Sequence, residues 1–538
     1  MSAAIRDPRV RAGVAAIAVI VALIGGAFIG LAVEGAADFA RALSAFDAYY
    51  VRVAIFTLWQ AALSTLLSVA PAILVARALS RHPAFTGRGL VLRLFALPLA
   101  LPAIVAALGI LALLGRAGYF AGLLSWLLGG DWPGIYGLSG ILVAHVFFNL
   151  PLATRLFLEA LGTVPTDQWR LASQLGMGVA PSFRLIEWPV LRSALPAVAG
   201  LVFMLCVTSF TIVLTLGGGP AATTLEVAIY QALRFDFDPA RAVALTFGQI
   251  VLTVASIWLL SRLGADPVRD ANLGVAPPRR FVTVQATERA INIAVIVVAA
   301  LFVVGPIASI IVSGLASDLA GLASQASVQR ASLTSLGFGA SSALIAVLLS
   351  LALVAMRRAL ETMRRSRRRS LLEYAADTGA GFVLVVPPIV IGAGWFILGR
   401  HVGDVFLLAP FMVVSVNAIM AMPFVVRAIR PAHDAAAERH DRLAASLGIA
   451  GWNRFRLIDW PSIRRPLLTG FAFAMALSLG DLGVIALFGS DAVKTLPFLL
   501  LERMGSYRTS DAAGLALLIA ALCLGLMAVA DWSGKERA

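Results

Sequence analysis

The sequence is short of charge. Only 13% of its 538 residues are charged, while 60% are hydrophobic and the mean hydropathy is +0.90. A soluble globular chain carries about a quarter charged residues, so a water-soluble enzyme, a disordered protein and a fibre are all excluded. Lysine is nearly missing: Lys494 and Lys535 are the two in the chain, and almost every cation is an arginine. That reads as a compositional habit, not as a site. Cysteine is equally scarce, and Cys206 and Cys523 both lie in apolar stretches, which gives neither a disulfide framework nor a thiolate metal site. The 5 histidines are scattered, without metal-ligand spacing or a nucleophile–base pair on a common helix face, which argues against an integral-membrane enzyme. A Gly-x4-Gly-Lys-Ser/Thr phosphate loop is also lacking. The one Gly-Lys pair, Gly534-Lys535, is followed by Glu536, so the chain does not hold ATP through that motif.

What is present is a series of long apolar runs. A spanning helix needs about 20 mostly apolar residues, and such runs lie near 13–33, 53–76, 94–115, 138–158, 194–217 and 242–261, then near 291–313, 334–356, 377–399, 407–427, 467–488 and 512–530. The fold class they imply is an all-α, polytopic membrane protein of about 12 transmembrane helices. The first run follows Arg6, Arg9 and Arg11 and exceeds the apolar core of about 7–15 residues in a cleaved signal peptide. It reads as a first span with a cytoplasmic N-terminus. The segment 116–137, with Gly129-Gly130-Asp131-Trp132-Pro133, reads as an outside loop. With this topology roughly three quarters of the 43 Lys and Arg fall on the cytoplasmic side. The densest cluster, Arg364-Arg365-Ser366-Arg367-Arg368-Arg369, falls between spans eight and nine. No arginine is left in mid-membrane, where each would cost roughly 2.5–3.5 kcal/mol or more. The net charge of +14 therefore follows from topology and calls for no nucleic-acid partner.

The chain also repeats itself. Arg170-Leu171-Ala172-Ser173-Gln174-Leu175-Gly176 matches Arg442-Leu443-Ala444-Ala445-Ser446-Leu447-Gly448, and Phe183-Arg184-Leu185-Ile186-Glu187-Trp188-Pro189 matches Phe455-Arg456-Leu457-Ile458-Asp459-Trp460-Pro461, all at an offset of 272 residues without a gap. Arg192 and Arg464, Pro151 and Pro423, and His145 and Asn417 share that offset. The expected organisation is two homologous six-span halves, 1–263 and 291–538, joined by a polar linker at 264–290. Six is even, so the halves share one orientation, a parallel repeat about an axis along the membrane normal.

The best-matched segments are not in the membrane. They lie in the loops at about 159–192 and 428–466, between spans four and five of each half, on the cytoplasmic side. Residues 168–175 and 440–447 have helical composition and run into Gly176 and Gly448. A glycine there permits a left-handed turn or a close backbone approach. Each copy then passes through Trp-Pro into the next span. Tryptophan suits a membrane interface and proline the first turn of a helix. Duplication could have preserved two ordinary loops, but these match better than most of the spans around them, as a shared partner surface would require.

The pattern resembles the EAA loop of ABC importer permeases: Glu-Ala-Ala, three residues, Gly, nine residues, Ile-x-Leu-Pro. Here it reads Arg170-Leu171-Ala172, Gly176, Ile186-Glu187-Trp188-Pro189 and Arg442-Leu443-Ala444, Gly448, Ile458-Asp459-Trp460-Pro461. Arg stands for the Glu and Trp for the Leu, so a contact made through that acid is not carried over. The strings GGGPAATTLEVAIYQALRFDFDPARAVAL at 217–245, GDLGVIALFG at 480–489 and TLPFLLLERMGSYRTSDAAGLAL at 495–517, with the fused layout, look like the permeases of thiamine and thiamine pyrophosphate importers. Fused ferric-iron permeases are the next nearest. The resemblance implies a type I ABC importer permease in a bacterial inner membrane, with both termini cytoplasmic and no cofactor of its own. It further implies that the two loops dock as coupling helices on a dimer of ATP-binding subunits that hold ATP and Mg, and that a periplasmic binding protein delivers the substrate. A twelve-span secondary transporter would share the layout but has no ATPase to dock and needs intramembrane ionisable groups, of which there are few.

Candidate residues along a substrate path follow from buried polarity. Asp481 lies near the outer part of span eleven, where an acid is expensive; it would suit a cation, or it caps a half-helix. Ser209 and Thr211 match Asp481 and Gly483 at the repeat offset, an asymmetry expected where one substrate crosses between unlike halves. His145, Asn149 and Asn417 lie on spans four and ten, as path residues or as interhelical hydrogen bonds.

Overall fold

A chain crossing lipid must satisfy its backbone polar groups within itself, and a helix does so locally. In the computed structural model all regular secondary structure among the described residues is helical, these residues being 7–83, 85–262, 286–363, 370–382, 386–449 and 451–535. The arginine cluster at 364–369 and most of the expected linker lie outside them. In chain order the helices used below are α1 (Pro8–Ala37), α2 (Ala48–Arg81), α3 (Arg88–Ala100), α4 (Ala103–Leu114), α5 (Leu138–Gly162), α6 (Thr166–Gln174), α7 (Trp188–Val207), α8 (Thr211–Leu216), α9 (Leu225–Arg234) and α10 (Pro239–Arg262). There follow α11 (Ala286–Leu315), α12 (Ala326–Met363), α13 (Leu371–Phe382), α14 (Pro388–Val402), α15 (Ala409–Ser446), α16 (Trp460–Gly480), α17 (Gly483–Phe488), α18 (Leu496–Gly505) and α19 (Thr509–Lys535). Local chemistry sets the first starts. Asp7 caps α1 by accepting from the Arg9 amide at 2.8 Å, and Asp47 caps α2 by accepting from the Tyr50 amide at 2.9 Å.

Among the described residues ten helices are long and apolar enough to cross a bilayer, or eleven if a bent pair counts as one span. The difference from twelve apolar segments lies in the third span of each half. The segment 94–115 falls on α3 and α4, which meet at 112°. Pro102 forces the break: it holds Leu101 extended, with ψ 134°, and itself precedes α4 with ψ 141°. The segment 377–399 is shared between α13 and α14, and Pro387, with φ −58° and ψ 144°, precedes α14 in the same way. The fifth spans break too, at Thr208–Phe210 between α7 and α8 and at Asp481–Leu482 between α16 and α17.

Contacts divide the described chain into two compact units, one drawn from residues 1–45, 229–246 and 317–538, the other from 46–228 and 247–316. Chain order and packing therefore differ. In the first unit α1 packs on α12 and α14, although it opens the sequence; in the second unit α11 packs on α4 and α2, although it opens the second half. Each exchanged helix docks through a glycine. Gly26 and Gly30 of α1 face Trp395 and Gly394 of α14, so closely that a Cβ on Gly30 would meet the Gly394 carbonyl, and the Trp395 indole donates to the Leu23 carbonyl at 2.7 Å. In the other unit a Cβ on Gly109 of α4 would meet the Pro306 carbonyl of α11, and Ser309 donates to the Gly109 carbonyl at 2.7 Å. Small residues let membrane helices approach backbone to backbone, where dispersion replaces the missing hydrophobic drive.

Gly394→Val should therefore cost about 1–3 kcal/mol or more through overpacking, read as a fall in melting temperature and folded yield in detergent. Gly25→Ala, which adds a Cβ where nothing lies within 4 Å, should leave both near wild type.

Candidate functional site

Both repeated segments close in the same way. After α6, Gly176 adopts φ +62°, its amide donates to the Ser173 carbonyl at 3.1 Å, and the Met177 amide reaches back to the Ala172 carbonyl at 2.9 Å. After α15, Gly448 adopts φ +66°, its amide donates to Ala445 at 3.3 Å, and the Ile449 amide reaches the Ala444 carbonyl at 2.9 Å. These are left-handed helix caps. A Cβ at either glycine would meet nothing within 4 Å, so glycine serves the dihedral and not a close approach.

A feature absent from the sequence reading follows. Phe183–Glu187 and Phe455–Asp459 each form one π-turn, with the Trp188 amide donating to the Phe183 carbonyl and the Trp460 amide to the Phe455 carbonyl. The prolines just beyond, Pro189 and Pro461, have no amide to offer the carbonyl four residues back, and the widened turn accommodates that loss. The signal was the near-identity of FRLIEWP and FRLIDWP; its meaning as a π-turn was not legible.

Burial sorts the motif residues by task. Val164, Trp169, Ala172 and Ile186 form a small core of their own, with Met177 and Val190 against it, so Ala172 and Ile186 hold the first segment together from inside. Ala444 is likewise buried and Ile458 half-buried. Arg170 and Arg442 are exposed, as are Trp188 and Trp460, and Arg170 pairs with Asp167 at 3.2 Å. The surface is apolar at three matched points. Leu171, Leu175 and Leu185 in one copy and Leu443, Leu447 and Leu457 in the other are all 56–68% exposed, and each pair stands at the repeat offset of 272. These six leucines are the functional candidates that the motif comparison passed over.

The path candidates lie in separate units. In one, His145 Nδ1 is 2.8 Å from Ser64 Oγ, and Asn149 donates to Cys206 Sγ at 3.3 Å. In the other, Asn417 donates to Ser478 Oγ at 2.9 Å. Each of the three thus makes an interhelical hydrogen bond. Asp481 stands in the break between α16 and α17, where its Oδ1 accepts from the Gly483 amide at 3.2 Å, while its buried Oδ2 has no hydrogen-bond partner among the described residues. Ser209 and Thr211 border the matching break between α7 and α8, both half-buried.

Sequence reading missed a polar stripe. Thr57, Gln60, Ser64 and Ser68 occupy one buried face of α2. Thr57 Oγ1 accepts from the Leu225 amide at 3.1 Å and Gln60 donates to the Cys206 carbonyl at 2.8 Å. In the second half Ser335, Ser342 and Ser350 are buried on α12, and Ser335 Oγ accepts from the Leu496 amide at 2.7 Å. The helical spacing of these four residues in an apolar run was the available signal. Beside Leu225, Glu226 is buried with Oε1 unpartnered among the described residues.

Burial pushes the Glu226 carboxyl up to about 8 from 4.5. The folded state then keeps a proton that the unfolded chain releases above the ordinary carboxylate range, so this contribution to stability is complete below about 4.5 and is lost as the pH rises to about 8. Glu226→Gln, an uncharged isostere, should abolish that decline. The melting temperatures of the two proteins should diverge across this range in favour of the variant and run parallel above it.

The family model described as "Binding-protein-dependent transport system inner membrane component" matches residues 69–266 and 381–535, once in each half. The chain is 59% identical over 526 residues to the thiamine transport system permease protein ThiP of Brucella abortus (strain 2308), covering 98% of this chain and 95% of that protein. It is 41% identical over 523 residues to the protein of that name from Escherichia coli (strain K12), covering 96% and 95%. For the one from Haemophilus influenzae the figures are 38% over 518 residues, 95% and 94%. Two matches to one permease model and near full-length similarity to three permeases agree with the all-helical, twice-repeated fold: the chain belongs to the family of binding-protein-dependent inner-membrane transport permeases.

Proposed function

We propose that this permease subunit carries thiamine, free or as its phosphate esters, across the bacterial inner membrane. In this reading its coupling segments dock on a dimer of separate ATP-binding subunits, which hold ATP and Mg, and a periplasmic binding protein delivers the substrate from the other side. The termini and the 264–290 linker share the cytoplasmic side with the coupling segments, as the arginine distribution favours. ATP closes the dimer, the segments move with it, and the two halves turn as rigid bodies between inward- and outward-open states.

The observation that carries the docking role is the pair of leucine triads. Large apolar side chains exposed on polar loops are costly in water, and two copies at one repeat offset fit two identical subunits of a partner. Arg170, Gly176, Trp188 and Pro189, with Arg442, Gly448, Trp460 and Pro461, shape these surfaces; Ala172, Ala444, Ile186 and Ile458 support them from beneath. Thiamine as substrate draws on the names of the relatives, and a cation agrees with the free carboxylate oxygen of Asp481 at a helix break. A ferric-iron path would favour several carboxylates, tyrosines and histidines together, whereas the path candidates hold one carboxylate, Asp481, and one histidine, His145, which is bonded to Ser64 in the other unit. Ser209, Thr211, His145, Asn149 and Asn417 line this reading as secondary polar groups.

The combined variant Leu171→Asp with Leu443→Asp should lower co-purification of the ATP-binding subunit by about tenfold or more, as loss of anchoring apolar residues does at interfaces, with the permease still inserted. Retention at the wild-type level would overturn the docking role. Asp481→Asn should lower thiamine uptake into vesicles by about tenfold, the size of one lost interaction of ~1.4 kcal/mol, with the permease still assembled. Unchanged uptake would leave Asp481 as a cap alone.

A further inference from the structure

The two segments match in sequence, yet they are fastened to their bodies differently. In the second copy the helix is unbroken: α15 runs from Ala409 to Ser446, through the coupling stretch, with no interruption. In the first copy Thr163–Pro165 separates α5 from α6. Pro165, with ψ 140°, stands where the second copy has the helical, buried Ala437, and a proline disfavours helix at the residue before it. The first segment therefore has no continuous rod to the membrane helix that precedes it.

A buried ionic cluster stands in its place. Glu187, in the π-turn, is fully buried. Arg77 Nε donates to its Oε2 at 2.8 Å, and Arg81 Nε to its Oε1 at 3.0 Å. Both arginines belong to the last turns of α2. Arg81 also donates to the Val179 carbonyl at 3.4 Å and pairs with Glu288 in the first turn of α11, and the Arg77 guanidinium lies 4.9 Å from the centre of the Phe183 ring. Two cations and two anions thus join α2, the π-turn and α11.

Among the described residues the second copy carries a different, more exposed network in place of this cluster. Its Asp459, at the position of Glu187, is 3.7 Å from Arg454 and, among the described residues, pairs with no arginine of α12; Arg454 in turn pairs with Asp441 at 2.5 Å. Ties to α12 are made from the continuous helix, by Asp434 with Arg357 and by Asp441 with Arg358 at 2.8 Å. Asp441 stands at the position of Trp169, which in the first copy is core.

We propose that Arg77, Arg81 and Glu187, with Glu288, are positioning residues: they form the clamp through which the first coupling segment moves α2 and α11, while the second segment moves its body through the unbroken α15. A buried carboxylate held by two guanidinium groups resists displacement in every direction, because any slack leaves a charge in low dielectric. The clamp does the task that helix continuity, with the Asp434 and Asp441 ion pairs to α12, does in the other copy.

This inference rests on the docking reading, and the test separates the two. The full permease, ATP-binding subunit and binding protein are reconstituted in vesicles, and the ATP hydrolysed per thiamine imported is measured together with co-purification of the ATP-binding subunit. Glu187→Gln should leave the complex assembled and hydrolysing, with the ratio raised about fivefold or more; Asp459→Asn should keep it within about twofold. A variant that only weakened the fold would reduce the amount of complex and leave the ratio of the remainder unchanged, and that outcome overturns the clamp. So does an equal rise in Asp459→Asn. Should Glu187→Gln fail to assemble, Arg77→Lys, which keeps the charge but loses the planar fork, is held to the same two criteria. Loss of docking, by contrast, would show as an ATP-binding subunit that no longer co-purifies.

Discussion

Lipid offers no hydrogen bonds, and that single constraint organises the molecule. A backbone in hydrocarbon is helical unless protein covers it, since each unsatisfied group costs several kcal/mol. The breaks in the helices are consequently the informative places. They fall at matched positions in the two halves: before α4 and α14 at Pro102 and Pro387, between α7 and α8 at Thr208–Phe210, and between α16 and α17 at Asp481–Leu482. At these points the chain gives up its own hydrogen bonds and exposes groups to a neighbour or a passing solute. Asp481 illustrates the trade, one oxygen spent on the backbone and the other free.

The second constraint is mechanical. A transporter driven from outside the membrane must transmit force through loops, and ordinary loops are soft. Both copies stiffen the connection with a left-handed glycine cap and a π-turn, the first adding a small buried core, but they differ in what joins the segment to its body. The two copies share the exposed face, the leucines and the arginine, and differ in the inner fastening, Trp169 against Asp441 and Glu187 against Asp459.

The exposed side of this architecture was legible in the sequence. Apolar runs and the 272-residue offset gave most of the spanning helices, the repeat and the two matched segments, because each is a periodic or compositional property of contiguous residues. Gly176 and Gly448 were legible as turn positions, although only the dihedrals decide between a turn and a close approach. The bend of 112° at Pro102, the π-turns and the Glu187 cluster were not legible. The first two turn on backbone geometry around a proline, and the cluster depends on partners far away in the chain, Arg77 and Arg81 being more than 100 residues from Glu187. The repeat itself concealed the exchange of α1 and α11, since similarity along the chain suggests that each half packs with itself.

That exchange has a consequence for how the protein is made. The surfaces that receive α1 belong to α12 and α14, and α12 begins roughly 290 residues after α1 ends. At a synthesis rate of about 5–20 residues per second, the first helix waits on the order of 15–60 s in the bilayer with its glycine face open to lipid. Neither half translated alone would contain its own complement of partners. The nascent chain is obliged to store its opening helix until the later segments arrive, which makes the final topology a product of the whole polypeptide and ties quality control to its completion.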